Sequence, residues 1–119
     1  MNITILISLS KNRISITRNT LSLIGNPSHI LLMVNPEDRT LVVSQGSSSD
    51  IRSHKVPVLK ANMKREVELY SKPLILRILS IADDWEDNAS YRLPGEFIQV
   101  ENLLRFHIEK SEMYLRGGR

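Results

Sequence analysis

The sequence predicts a β-rich α+β fold: two β-α-β-β units that close a swapped-hairpin-like barrel together, with one longer helix in the second unit. Three observations carry this expectation. Apolar residues recur at period two in several short stretches, the order strand, helix, strand, strand occurs twice, and the apolar residues are mostly Ile, Leu and Val. With 119 residues, 41% of them hydrophobic and only one Trp, three Tyr and two Phe, the chain suits one domain or two small units with a joint aliphatic core.

The first unit is placed at 1–45. Ile3, Ile5, Ile7 and Leu9 alternate along the first strand, Lys11 and Asn12 supply a polar turn, and Ile14 and Ile16 resume the alternation, so a hairpin is expected. Thr17 or Asn19 can cap a helix of about two turns carrying Leu21 and Ile24, which Gly25-Asn26-Pro27 stops. "SHILLMV" and "TLVVS" then read as strands, and Pro36 takes the favoured second position of the turn between them.

Residues 46–62 turn polar and Ser-rich around "QGSSSDIRSHK" and read as a linker or surface loop. The second unit is placed at 63–119. Val67 and Leu69 alternate, Pro73 opens a helix "PLILRILSIADDW" with apolar residues at 74, 75, 78, 79, 81 and 82, and Asp83, Asp84 and Asp87-Asn88 end it. "SYRLPGEFIQ" reads as a strand interrupted at Pro94-Gly95, and Leu104, Phe106 and Ile108 mark one face of the last strand. Placing Ile16 over Leu69 puts Leu21 on Leu74 and Leu23 on Leu76. A β-α-β-β unit of this size buries too little surface to stand alone, so two copies or two chains must share a core, and a homo-oligomer is expected.

The formal net charge of +3 permits an acidic partner without requiring one. Cysteine is absent, which removes disulfides, thiolate zinc sites and cysteine nucleophiles, and suits the reducing cytoplasm. The apolar start lacks a basic leader and the run "ILLMV" is far below spanning length, so no membrane association is expected.

"NRISITRNTLSLIGNPSHILLMVNPEDRTLVV" resembles the AbrB-type swapped-hairpin DNA-binding domains. Arg13 and Ile14 match the start of that pattern, Ile16 its strand, Ile24-Gly25 the helix end and "LLMVNPEDRTLVV" the final hairpin. The match covers about a third of the chain, and two tandem copies would be similar to the MraZ arrangement. Asn12 and Thr17 stand where that pattern has Gly and Pro, and Leu21 and Ser22 where its helix has paired arginines. The resemblance therefore implies a transcriptional regulator that meets double-stranded DNA through Lys11, Arg13 and Arg18. The chain also resembles accessory proteins of Gram-positive mobile elements, and the alternative expectation is a phage or mobile-element interaction or inhibitor protein that binds a protein or a nucleotide-like ligand.

No catalytic motif is present, and neither an enzyme nor a cofactor is expected. Ser, Asp and His lie close together in "SSSDIRSHK", but triads are built from rigidly held, separated elements. His29, His54 and His107 are the only histidines, and His107 with Glu109 reads as the solvated side of a strand, so no metal site is expected. Asp83, Asp84, Glu86 and Asp87 fit no calcium loop. Trp85 and Tyr91 flank the loop after the long helix and are expected to cover its end.

Overall fold

A computed structural model describes residues 2–58 and 65–114. The end of the expected linker (59–62), the first two positions of the second unit (63 and 64) and the cationic tail (115–119) lie outside the described residues.

Strands β1 (Thr4–Ser8) and β2 (Arg13–Thr17) form the expected hairpin, with Ile5, Ile7, Ile14 and Ile16 buried. Its turn is one 3-10 turn, Leu9–Lys11, closed by Asn12 at φ 49°, a left-handed position that Asn tolerates. Helix α1 (Arg18–Ser22) is shorter than the two turns expected. Thr17 Oγ1 accepts from Thr20 N at 3.1 Å to open it, and Gly25 and Asn26, both at positive φ, turn the chain away at once. β3 (His29–Asn35) and β4 (Thr40–Gln45) follow as an antiparallel hairpin, and β5 (His54–Lys55) adds two residues to the start of β3.

In the second unit, β6 (Glu66–Tyr70) leads into α2 (Lys72–Leu79), where Ser71 caps and Pro73 sits in the first turn. Leu74, Ile75 and Ile78 are buried as the spacing predicts, but α2 ends at Leu79 and not near Trp85. Ile81 and Ala82 bend back onto the Ile78 carbonyl, and Arg39 takes the Ile81 carbonyl at 2.8 Å, so that carbonyl serves a tertiary contact in place of a further helical turn. β7 (Ser90–Ile98), β8 (Leu103–His107) and a short β9 (Glu112–Met113) complete the described residues.

All pairings are antiparallel in the order β5-β3-β4-β8-β7-β1-β2-β6, with β9 also on β7, and the sheet curls into a nearly closed barrel. Pro94-Gly95 does not interrupt β7. It is where one strand changes partners: Ser90–Pro94 pairs with β1 and Gly95–Ile98 with β8.

Residues on the two sides of the Ser-rich segment pair at three ladders inside the chain, β1 with β7, β2 with β6 and β4 with β8. Ser15 lies opposite Glu68, and the alignment that sets Ile16 on Leu69 also sets Ser15 on Glu68, so equivalent residues face each other at the ladder centre. The hairpin turns repeat as well, with Arg39 at φ 56° and Asn102 at φ 54°. The first unit carries β1 as an extra strand, inserted between β2 and β7. Among the described residues, no helix is long and apolar enough to cross a membrane.

Candidate functional site

Strands β6, β2, β1 and β7 present their aliphatic residues to the core and a polar grid outward. The registers place Tyr70, Arg13, Ser8 and Ser90 in one outward row, Glu68, Ser15, Leu6 and Arg92 in the next, and Glu66, Thr17, Thr4 and Pro94 in a third. Ser8 and Ser15 are only 4% and 5% exposed, because their short side chains sink below longer neighbours. The result is a trough along β1 and β2 with a hydroxyl-lined floor.

Its upper part, about 360 Å³, is lined by Lys11, Arg13, Ser8, Ser10, Ser90, Glu66, Glu68 and Tyr114. A second concavity of about 240 Å³ reaches Thr4, Thr17 and Arg92 and shares Leu6, Ser15, Glu66 and Tyr114 with the first. Tyr114 N donates to the Ser90 carbonyl at 2.8 Å, which holds the ring beside the sheet, and the Arg92 guanidinium packs 4.6 Å from that ring. Ser90 Oγ donates to Ser8 Oγ at 3.2 Å.

Arg13 Nη1 stands 3.6 Å from Glu68 Oε2, with the two side chains 17% and 22% exposed. That distance suits ionic attraction but exceeds a good hydrogen bond. Arg13 Nε is buried and has no hydrogen-bond partner.

The three cations expected to meet DNA do not gather. Lys11 and Arg13 line the trough. Arg18 lines a different cleft of about 390 Å³, with Leu21, Pro27, Val56 and Val58, and its Nη1 donates to the Pro57 carbonyl at 3.0 Å. Sequence reasoning missed Glu66, Glu68, Arg92 and Tyr114. The alternation of Glu66 and Glu68 with Val67 and Leu69 marked them as outward, but nothing local shows that Glu68 pairs across to β2.

Elsewhere, Asp83 after α2 serves an ion pair, Arg39 Nη2 donating to its Oδ2 at 3.0 Å. Trp85 stacks on Tyr91 with centroids 4.3 Å apart and planes at 5°, and its Nε1 donates to Ser111 Oγ at 2.8 Å. His107 Nε2 lies 3.2 Å from Glu96 Oε1, while His29 Nδ1 lies 3.0 Å from Ser28 Oγ. In the Ser-rich segment, the Arg52 side chain donates to Asp50 and holds that carboxyl below its ordinary range. Among the described residues, no three metal-ligating side chains come together.

Comparison with known proteins finds no matching family model, no matching curated protein and no matching solved structure.

Proposed function

We propose that the chain is a non-enzymatic binding protein of a bacterium or mobile genetic element, working in the cytoplasm, that engages its ligand or partner through the trough over β6, β2, β1 and β7. One observation carries the reading: the trough region alternates charge. Lys11, Arg13 and Arg92 stand among Glu66, Glu68 and Glu112. A duplex presents closely spaced phosphates and favours a surface of one sign, whereas an evenly mixed surface favours a partner carrying both donors and anions.

The second reading is the duplex-binding regulator that the AbrB-type resemblance implies. The meeting of Lys11 and Arg13 at one end of the trough favours it, as does the net charge of +3. In either reading self-association is not needed to complete the core, because the β2–β6 and β4–β8 ladders close within the chain.

Fluorescence anisotropy with a labelled duplex separates the two. The binding-protein reading expects no saturable binding at micromolar protein, even at low salt. A regulator using Lys11, Arg13 and Arg18 would bind, lose about 0.9 log unit of affinity per log unit of salt for each phosphate neutralised, and fail after Arg13→Glu. That outcome would replace the first reading with the second.

A further inference from the structure

Resting on the binding-protein reading, we propose that the trough holds a phosphorylated sugar, either a free sugar phosphate or a mononucleotide, with the phosphate toward Lys11 and Arg13 and the hydroxyl-bearing ring toward Glu66 and Glu68.

The turn end of the trough is made for an oxyanion. Lys11 and Arg13 stand there with the hydroxyls of Ser8 and Ser10, Ser8 accepting from Ser90 and keeping its own proton, which gives cations and short donors around one concavity. The Arg13 guanidinium is poorly satisfied without a ligand, since Nε is buried without a partner and the Glu68 carboxylate is 3.6 Å from Nη1. An unsatisfied buried donor is costly. A phosphate drawing Arg13 toward Lys11 removes that cost and offers the paired oxygens that a planar guanidinium bonds best.

The other end repels a second anion and accepts hydroxyls. Glu66, opposite Thr17, stands at that end, and Glu68 lies one row nearer Arg13 on the same side of β6, so both carboxylates face the same strip of floor. Carboxylates only accept, and the vicinal hydroxyls of a sugar donate to them. Charge thereby fixes which way round the ligand lies. Arg13 to Thr17 is four residues along β2, and Glu66 pairs with Thr17, so the trough runs about 13 Å at about 3.3 Å per residue. Its upper part, about 360 Å³, falls in the range of small-molecule sites.

The test is titration of the full chain, followed by amide NMR, with ribose 5-phosphate, adenosine monophosphate, ribose and inorganic phosphate. Both phosphorylated sugars should bind saturably, tighter than ribose or phosphate alone, and shift the amides of Ser8, Ser10, Arg13 and Ser90. Tighter binding of the nucleotide assigns the base to the Tyr114 wall, and equal binding assigns the site to sugar phosphates. Lys11→Gln and Arg13→Gln should each weaken both by about tenfold, the scale of one charge-assisted hydrogen bond. Glu66→Gln should weaken the phosphorylated sugars and leave inorganic phosphate unchanged, which a merely general loss of fold would not do. Lys11 is exposed, so its variant reads binding even if Arg13→Gln unfolds. The proposal is overturned if the phosphorylated sugars bind no better than inorganic phosphate, or if the shifts fall outside the trough. Absence of both sugar-phosphate and duplex binding sinks the ligand class alone, while Arg13-dependent duplex binding sinks the binding-protein reading beneath it.

Discussion

Glu96 and Arg105 face each other across the β7–β8 ladder, and Arg105 Nε donates to Glu96 Oε2 at 2.7 Å. The other carboxylate oxygen lies 3.2 Å from His107 Nε2. Hydrogen bonding to His107, and then to Arg105, holds the Glu96 carboxyl below its ordinary range. The cluster sits on the outer face of the barrel, where Val42 pairs with Arg105 and Thr40 with His107, and so ties the second unit's hairpin at its junction with the first.

A pH dependence follows from that direction. A carboxylate whose folded pKa is lowered stabilises the fold above its unfolded pKa, and the contribution is lost as pH falls through the lower folded value. Urea unfolding at neutral pH should therefore show Glu96→Gln less stable than the parent, and the two should converge in acid. The side chain is 41% exposed, so solvent screening limits the neutral-pH difference to about 0.2–1 kcal/mol. An equal deficit at both pH values would mean that packing, and not charge, is what Glu96 supplies.

Gly95 is predicted to tolerate no side chain. A Cβ there would lie 2.5 Å from Phe106 Cδ1 and 2.6 Å from the Arg105 carbonyl, at the point where β7 passes from β1 to β8. Phe106 is fully buried and has no room to retreat. Gly95→Ala should cost about 1–3 kcal/mol, the usual range for overpacking, measured as a fall in the urea midpoint. Gly95→Ala with Phe106→Leu should cost less than the two single changes added, because the smaller residue relieves the contact with the ring and leaves only that with the Arg105 carbonyl.

Much of this fold was legible in the sequence, because its strongest signals are local. Pro73 with Leu74, Ile75 and Ile78 marked α2, and the alternation of Ile5, Ile7, Ile14 and Ile16 marked the first hairpin. What stayed hidden depends on pairing between distant segments. Nothing near Thr4 shows that β1 inserts between β2 and β7, and nothing near Ile81 shows that Arg39 receives its carbonyl. The trough suffered in the same way. Lys11 and Arg13 could be picked out as cations, but Glu68 reaches Arg13 only through the β2–β6 register, and Arg18 is drawn into another cleft by the Pro57 carbonyl.

Pairing of β1 with β7, β2 with β6 and β4 with β8 inside one chain lets the core close without a second copy. A core that needed a second copy would show an unfolding midpoint rising with protein concentration. Here β2 finds β6 and β4 finds β8 within the same polypeptide, so the urea midpoint should stay constant over a wide concentration series. A midpoint that climbs with concentration would show that partner subunits contribute to the fold.

The single Trp is a built-in fluorescent reporter of the loop after α2. Trp85 stacks flat on Tyr91, whose hydroxyl accepts from Glu86 N at 2.6 Å, so the ring and its hydroxyl fasten the loop after α2 to β7. The two roles are separable. Tyr91→Phe keeps the stack and leaves the partly buried Glu86 amide without this acceptor, a loss of about 1 kcal/mol. Tyr91→Leu removes both, and the lost aromatic pair adds about 0.5–1.5 kcal/mol beyond the area term. With the stack gone, the Nε1–Ser111 hydrogen bond alone holds the indole, and its face opens to water. The emission maximum of Tyr91→Leu should move to longer wavelength, with that of Tyr91→Phe close to the parent. Equal red shifts in both variants would mean that the hydroxyl, and not the stack, seats Trp85 against the barrel.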